Sequence, residues 1–122
     1  MGKLILIVED DPMSMKLTKD ILKVSGFATV EASDGQQGVD LAKSAKPDLI
    51  LMDIMMPKKD GYVACSDIKS DPKTKNIPVV MLTAMGYQLN EMLARRLGAD
   101  GYVTKPVNPQ QLIRAISPLL PV

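Results

Sequence analysis

The sequence contains no histidine and a single cysteine, Cys65. Without histidine, the side chain most often used as general base or metal ligand near neutral pH is missing. Polar chemistry must therefore rest on carboxylates, hydroxyls and lysines. One cysteine cannot close an intramolecular disulfide. Lying between Val63 and Ile68 on an expected helix, Cys65 reads as a small core residue rather than a reactive thiol. No apolar run approaches the roughly 20 residues needed to span a bilayer. The opening MGKLILIVEDD turns acidic too soon for a signal peptide, and Leu6 stands where a myristoylation pattern beginning at Gly2 wants Ser or Thr. An excess of one charge is missing too: 15 Lys plus Arg stand against 14 Asp plus Glu, a formal net charge of +1. That balance argues against direct binding of nucleic acid or an anionic membrane surface. The expected setting is a reduced, cytoplasmic compartment.

What is present is a regular alternation. The 122 residues suit one domain, 1–122, and show no repeat or linker. Leu4–Val8 is a continuous aliphatic run, too short for a helix, and predicts a strand buried on both faces. Asp11-Pro12 then opens a helix, with Asp11 as cap and Met13, Leu17, Ile21, Leu22 and Val24 as its apolar face, and Gly26 stops it. Residues 27–32 predict a second strand. Asp34-Gly35 turns into a helix carrying Val39, Leu41, Ala42 and Ala45. Residues 49–52 predict a third strand, 55–61 a loop, 62–70 a helix and 77–82 a fourth strand. A helix near residues 90–97, a short fifth strand over 102–104 and a last helix over 109–120, with Leu112, Ile113 and Ile116 inward, complete the pattern. Five strand–helix units imply a parallel sheet with helices on both faces and right-handed crossovers. The compact solution is a flavodoxin-like, doubly wound α/β fold of strand order 2-1-3-4-5.

In that topology the crevice beyond the C-terminal ends of strands 1 and 3 is the default ligand site. Glu9 and Asp10 follow strand 1, Asp53 ends strand 3, Thr83 ends strand 4 and Lys105 follows strand 5. Taken singly, each has an ordinary explanation: a solvated acidic pair, a turn residue, a β-compatible threonine, a surface lysine. Asp11 is better explained as a helix cap than as a ligand. Together they bring carboxylates, a hydroxyl and an amine to one edge. Clustered carboxylates repel unless a cation neutralises them, and hard oxygen donors without histidine favour Mg²⁺, or Mn²⁺ in its place. A metal and a lysine facing the acids suit a phosphoryl group, with a carboxylate such as Asp53 as nucleophile.

Glu9-Asp10, the stretch Met52-Asp53-Ile54-Met55-Met56-Pro57 with Gly61 beyond it, Thr83-Ala84 and Lys105-Pro106 together resemble the signature of response-regulator receiver domains, in order and spacing, along essentially the whole chain. The resemblance implies a signalling switch that catalyses its own aspartyl phosphorylation and dephosphorylation, with Asp53 as phosphoacceptor. It implies Mg²⁺ held by Asp10 and Asp53, by Glu9 through water and by the Met55 carbonyl. Lys105 and Thr83 would contact the phosphoryl oxygens, and Tyr102 would be the switch aromatic that reorients as Thr83 moves. The Lys105-Pro106 bond is expected to be cis. The implied partners are a histidine kinase or histidine phosphotransfer protein, since this chain has no histidine to serve as donor, and a downstream protein reading the surface of the fourth helix, fifth strand and fifth helix.

Two other functions are weaker. An aspartyl phosphohydrolase often carries a second acid two residues after its nucleophile, where this chain has Met55. A flavodoxin-like cofactor binder wants a Ser/Thr/Gly-rich phosphate loop after strand 1, and Glu9-Asp10-Asp11-Pro12 is its electrostatic opposite. Met55 and Met85 flank the expected phosphoryl site and would hinder hydrolytic water. Met81, Met85 and Met92 are candidates for an adaptable binding face. Val107, where many receiver domains carry Phe, would alter the docking surface.

Overall fold

The computed structural model describes residues 2–54, 56, 59–83 and 98–120, and for Thr83 the backbone alone. Five strands, β1 (Leu4–Val8), β2 (Ala28–Ala32), β3 (Leu49–Asp53), β4 (Val79–Thr83) and β5 (Gly101–Thr104), form one sheet of order β2-β1-β3-β4-β5. Every pairing is parallel. The described helices are α1 (Pro12–Val24), α2 (Gly35–Ala45), α3 (Gly61–Ser70) and the C-terminal helix Pro109–Ile116, which runs on into a 3₁₀ turn, Ser117–Leu119. The doubly wound order expected from the sequence is the one observed. The expected helix near residues 90–97 lies outside the described residues, as do Met85 and Met92.

The aliphatic runs are explained by two cores, one on each face of the sheet. Leu6, Val8, Ile50, Met52, Val79 and Met81 point to one side, against Val39 and Ala42 of α2 and Ala64, Cys65 and Ile68 of α3. Ile5, Ile7, Leu49, Leu51, Val80 and Leu82 point to the other, against Ile21 and Leu22 of α1 and Leu112 and Ile116 of the C-terminal helix. Successive strand residues face opposite ways, so a strand covered on both sides must be apolar at every position. Each such Leu or Ile contributes about 1.5–3 kcal/mol by leaving water.

Helix starts follow capping chemistry. Asp11, Asp34 and Asp60 each accept a hydrogen bond from the backbone N–H three residues on, at 3.1, 2.8 and 2.9 Å. Asn108 accepts from Gln110 and Gln111, and Pro12 and Pro109 occupy first positions where no N–H is needed.

Several expectations need correction. Met13 is 81% and Val24 90% exposed, and Leu17 is also exposed. At about 100° per residue, these three lie on a stripe turned away from the inward one, which is Thr18, Ile21 and Leu22. Thr18, a polar residue outside the expected apolar face, is buried. Met81 belongs to the core and forms no part of a binding face. Val107 is buried in the core cluster that holds Val103 and Leu112. β4 begins two residues later than expected because the Ile77 N–H is used by Thr74 O in a turn. The last helix gives way to the 3₁₀ turn at Ser117-Pro118. No described helix is long and apolar enough to cross a membrane.

Candidate functional site

Because the strands are parallel, their C-terminal ends share one edge. Register fixes the positions there: Val8 pairs with Met52, Asp53 with Leu82 and Thr83 with Thr104. The residues after β1 and β5 therefore flank the last residues of β3 and β4. Glu9 is held in place by its N–H, which donates to Ala32 O at 3.0 Å. Asp53, as the final residue of β3, is 6% exposed, Glu9 is 2% exposed, and Asp10 is open to solvent.

Glu9, Asp10 and Asp53 each offer a carboxylate oxygen, and these oxygens lie within 4.8 Å of one another. Lys105 completes the cluster: its ammonium donates to Glu9 Oε1 and lies 3.3 Å from Asp53 Oδ2. Burial, reinforced by the Asp53 carboxylate, drives Glu9 up from 4.5 to about 7, against the lowering pull of Lys105. Burial also disfavours the Lys105 ammonium, but its bonds to Glu9 and Asp53 outweigh that and hold its pKa above the ordinary lysine value. Three carboxyl groups face a single lysine here, so the cluster has room for a further positive charge. The donors are all hard oxygens gathered within 4.8 Å of one another, a donor chemistry that fits Mg²⁺ or Mn²⁺.

The sequence-derived residues are brought together to different degrees. Glu9, Asp10, Asp53 and Lys105 form one cluster. The backbone of Thr83 ends β4 beside Thr104. Met55 lies outside the described residues. Tyr102 sits on the edge strand β5, opposite Met81, and is 44% exposed. Asp11 caps α1, and the bonds it accepts from Ser14 hold its carboxyl below the ordinary range. The Lys105-Pro106 peptide is cis, and Cys65 is fully buried.

Sequence reasoning missed the packing beneath the site. The Gly61 N–H donates to Ile54 O at 2.8 Å, and the Lys59 ammonium pairs with Asp67 of α3. Gly35, read from the sequence only as a turn residue, lies directly against the Lys59 carbonyl. The one signal in the sequence was glycine at the first position of two helices, α2 and α3.

The family described as "Response regulator receiver domain" matches residues 5–117. The chain is 39% identical over 116 residues to the DNA-binding dual master transcriptional regulator RpaA of Synechocystis sp., covering 95% of this chain but only 48% of that protein. This chain thus spans about half of that relative's length. The polar-differentiation response regulator DivK of Brucella anthropi is 36% identical over 120 residues, with 98% of each chain covered. Among solved structures, the receiver domain of the sensor histidine kinase PA1611 from Pseudomonas aeruginosa PAO1, which has a magnesium ion coordinated in its active-site cleft, superposes with a TM-score of 0.89 at 30% identity, covering 98% of each chain. The chain belongs to the response-regulator receiver domain family of two-component signalling.

Proposed function

We propose that this chain is a phosphorylation switch in which Asp53 accepts a phosphoryl group from a phosphohistidine on a histidine kinase or histidine phosphotransfer protein. The observation that carries the reading is the convergence of Glu9, Asp10 and Asp53, with Lys105 seated on two of them, at the C-terminal edge of a parallel sheet. Asp10 and Asp53 would hold Mg²⁺ directly, Glu9 through water, and the Met55 carbonyl would add a third direct protein donor. The bound cation supplies positive charge against the carboxylates and the transferring phosphoryl oxygens.

The chain's own residues do the rest. An Asp53 carboxylate oxygen forms the new bond to phosphorus as the partner's N–P bond breaks, and the electron pair leaves on the imidazole nitrogen. Lys105, already within 3.3 Å of Asp53 Oδ2, turns its ammonium to a phosphoryl oxygen and stabilises charge that grows in the transition state. The Thr83 hydroxyl contacts a second oxygen, and Tyr102 on the neighbouring strand follows it. The aspartyl phosphate adds about −1.5 to −2 charges to this edge, and a downstream protein reads the altered surface at β5 and the C-terminal helix.

The test is intact mass after incubation with Mg²⁺ and a small acyl phosphate donor. A single adduct that needs the metal and is lost in Asp53→Asn supports the proposal. No adduct at saturating donor and Mg²⁺, or an equal adduct in the variant, would overturn it.

A further inference from the structure

The Asp53 pocket is underlain by two places where backbone packs on backbone with no room for a side chain. A Cβ at Gly61 would lie 2.2 Å from Asp53 O and 2.8 Å from Ile54 Cα. A Cβ at Gly35 would lie 1.9 Å from Lys59 O, 2.7 Å from Lys59 C and 2.9 Å from Lys59 Cβ. Ordinary contact begins near 3.4 Å, so either methyl would drive the opposing backbone back by more than an ångström. Gly61 touches the acceptor residue itself. Gly35 does not: it begins α2, on a separate element, behind the Asp34 cap. It bears on Lys59, two residues before Gly61, whose N–H closes on Ile54 O at 2.8 Å. Lys59 is also held by its ion pair with Asp67 on α3. The chain from Lys59 to Gly61 is thus tied to both α2 and α3, and its far end rests on the carbonyl of Asp53.

We propose that Gly35 is a positioning residue for Asp53: its bare Cα seats the Lys59 carbonyl, and that seat sets, through Gly61, where the β3 terminus presents its carboxylate. The inference rests on the reading of Asp53 as phosphoacceptor and metal ligand. Displacements on the scale of an ångström at a reacting group cost on the order of 10²-fold in rate. A displacement passed on through two residues is expected to cost about tenfold in metal affinity and in acceptance.

The test compares wild type, Gly35→Ala and, as a control for general destabilisation, Gly26→Ala. Gly26 has φ +92° in the turn before β2, and a Cβ there meets nothing within 4 Å. The first readout is hydrogen exchange in metal-free protein, with the Gly61 amide measured against that of Leu51 in the core. The second is Mg²⁺ half-saturation by calorimetry. Gly35→Ala is expected to speed Gly61 exchange about tenfold relative to Leu51 and to weaken Mg²⁺ about tenfold, while Gly26→Ala changes neither ratio. Equal effects on both amides, or unchanged Mg²⁺ binding in a folded Gly35→Ala, would overturn the proposal. Should Gly35→Ala not fold, Asp67→Asn decides, since it frees Lys59 with no steric load. Faster Gly61 exchange, by about two- to threefold, supports the tie, and an unchanged rate refutes it. Failure of the wild type to accept phosphate would sink the switch reading and leave the exchange result standing on its own.

Discussion

Lys105 and Glu9 stand 96 residues apart in the chain, yet the lysine ammonium is bonded to Glu9 Oε1 at the mouth of the sheet. The same ammonium lies 3.3 Å from Asp53 Oδ2. One cation thus bridges two buried carboxylates, one just after β1 and one at the end of β3.

Removing that cation leaves the two acids facing each other. Lys105→Ala is expected to slow phosphoryl acceptance about 10- to 100-fold, because charge stabilisation at the transferring group is lost. It also lowers the stability of metal-free protein at neutral pH, by about 1–3 kcal/mol for a buried charged group left without its partner. Stopped-flow acceptance rates and urea melts measure the two effects. Unchanged acceptance would show that the lysine is only a structural counter-ion.

Glu9 gives a pH dependence with a definite sign. Its carboxyl ionises near 4.5 in the unfolded chain and near 7 in the fold. Between those values the folded state holds the extra proton, so this residue's contribution to stability falls as pH rises from 4.5 to 7. Asp11, Asp20 and Asp71, held below the ordinary range, lose stability only at more acidic pH. In metal-free protein, Glu9→Gln should therefore remove a decline of about 2 kcal/mol between pH 5 and 7.5. Parallel urea curves for both proteins at the two pH values would contradict the assignment.

Cys65 should be silent in the native state. Burial raises its thiol from 9.0 to about 11, which cuts the thiolate fraction at pH 8 by about 100-fold before access is considered. Alkylation is expected to be at least that much slower than for a free thiol, and to recover fully in urea. Rapid labelling without denaturant would place the thiol outside the core.

The lifetime of the aspartyl phosphate provides a test of Met55. If its apolar side chain hinders the hydrolytic water, Met55→Asn loses phosphate several-fold faster, about 3- to 10-fold for a polar group able to hold water. Equal or slower loss would discard the idea.

The strand order and the acid cluster were legible because both depend on simple physics. An aliphatic run such as Leu49 to Met52, too short for a helix, reads as a strand covered on both faces, and parallel strands carry Glu9, Asp53 and Lys105 to one edge whatever their separation in sequence. Side-chain direction on α1 was less legible. Met13 and Val24 are apolar, yet the helix turns them outward and buries Thr18, because helical phase is set by the strands beneath and not by apolar content. The Gly35–Lys59 seat was not legible, since a glycine after a capping Asp looks like any helix start. Only the fold reveals which backbone it lies against.

The most direct measurement is to locate the phosphoryl group chemically. After phosphorylation with the small donor and Mg²⁺, borohydride reduction should convert the acyl phosphate to homoserine, and peptide mapping should find that residue at position 53 alone. Homoserine at Glu9's neighbour Asp10, or no reduced residue in a protein that carries the adduct, would contradict an aspartyl phosphate at Asp53.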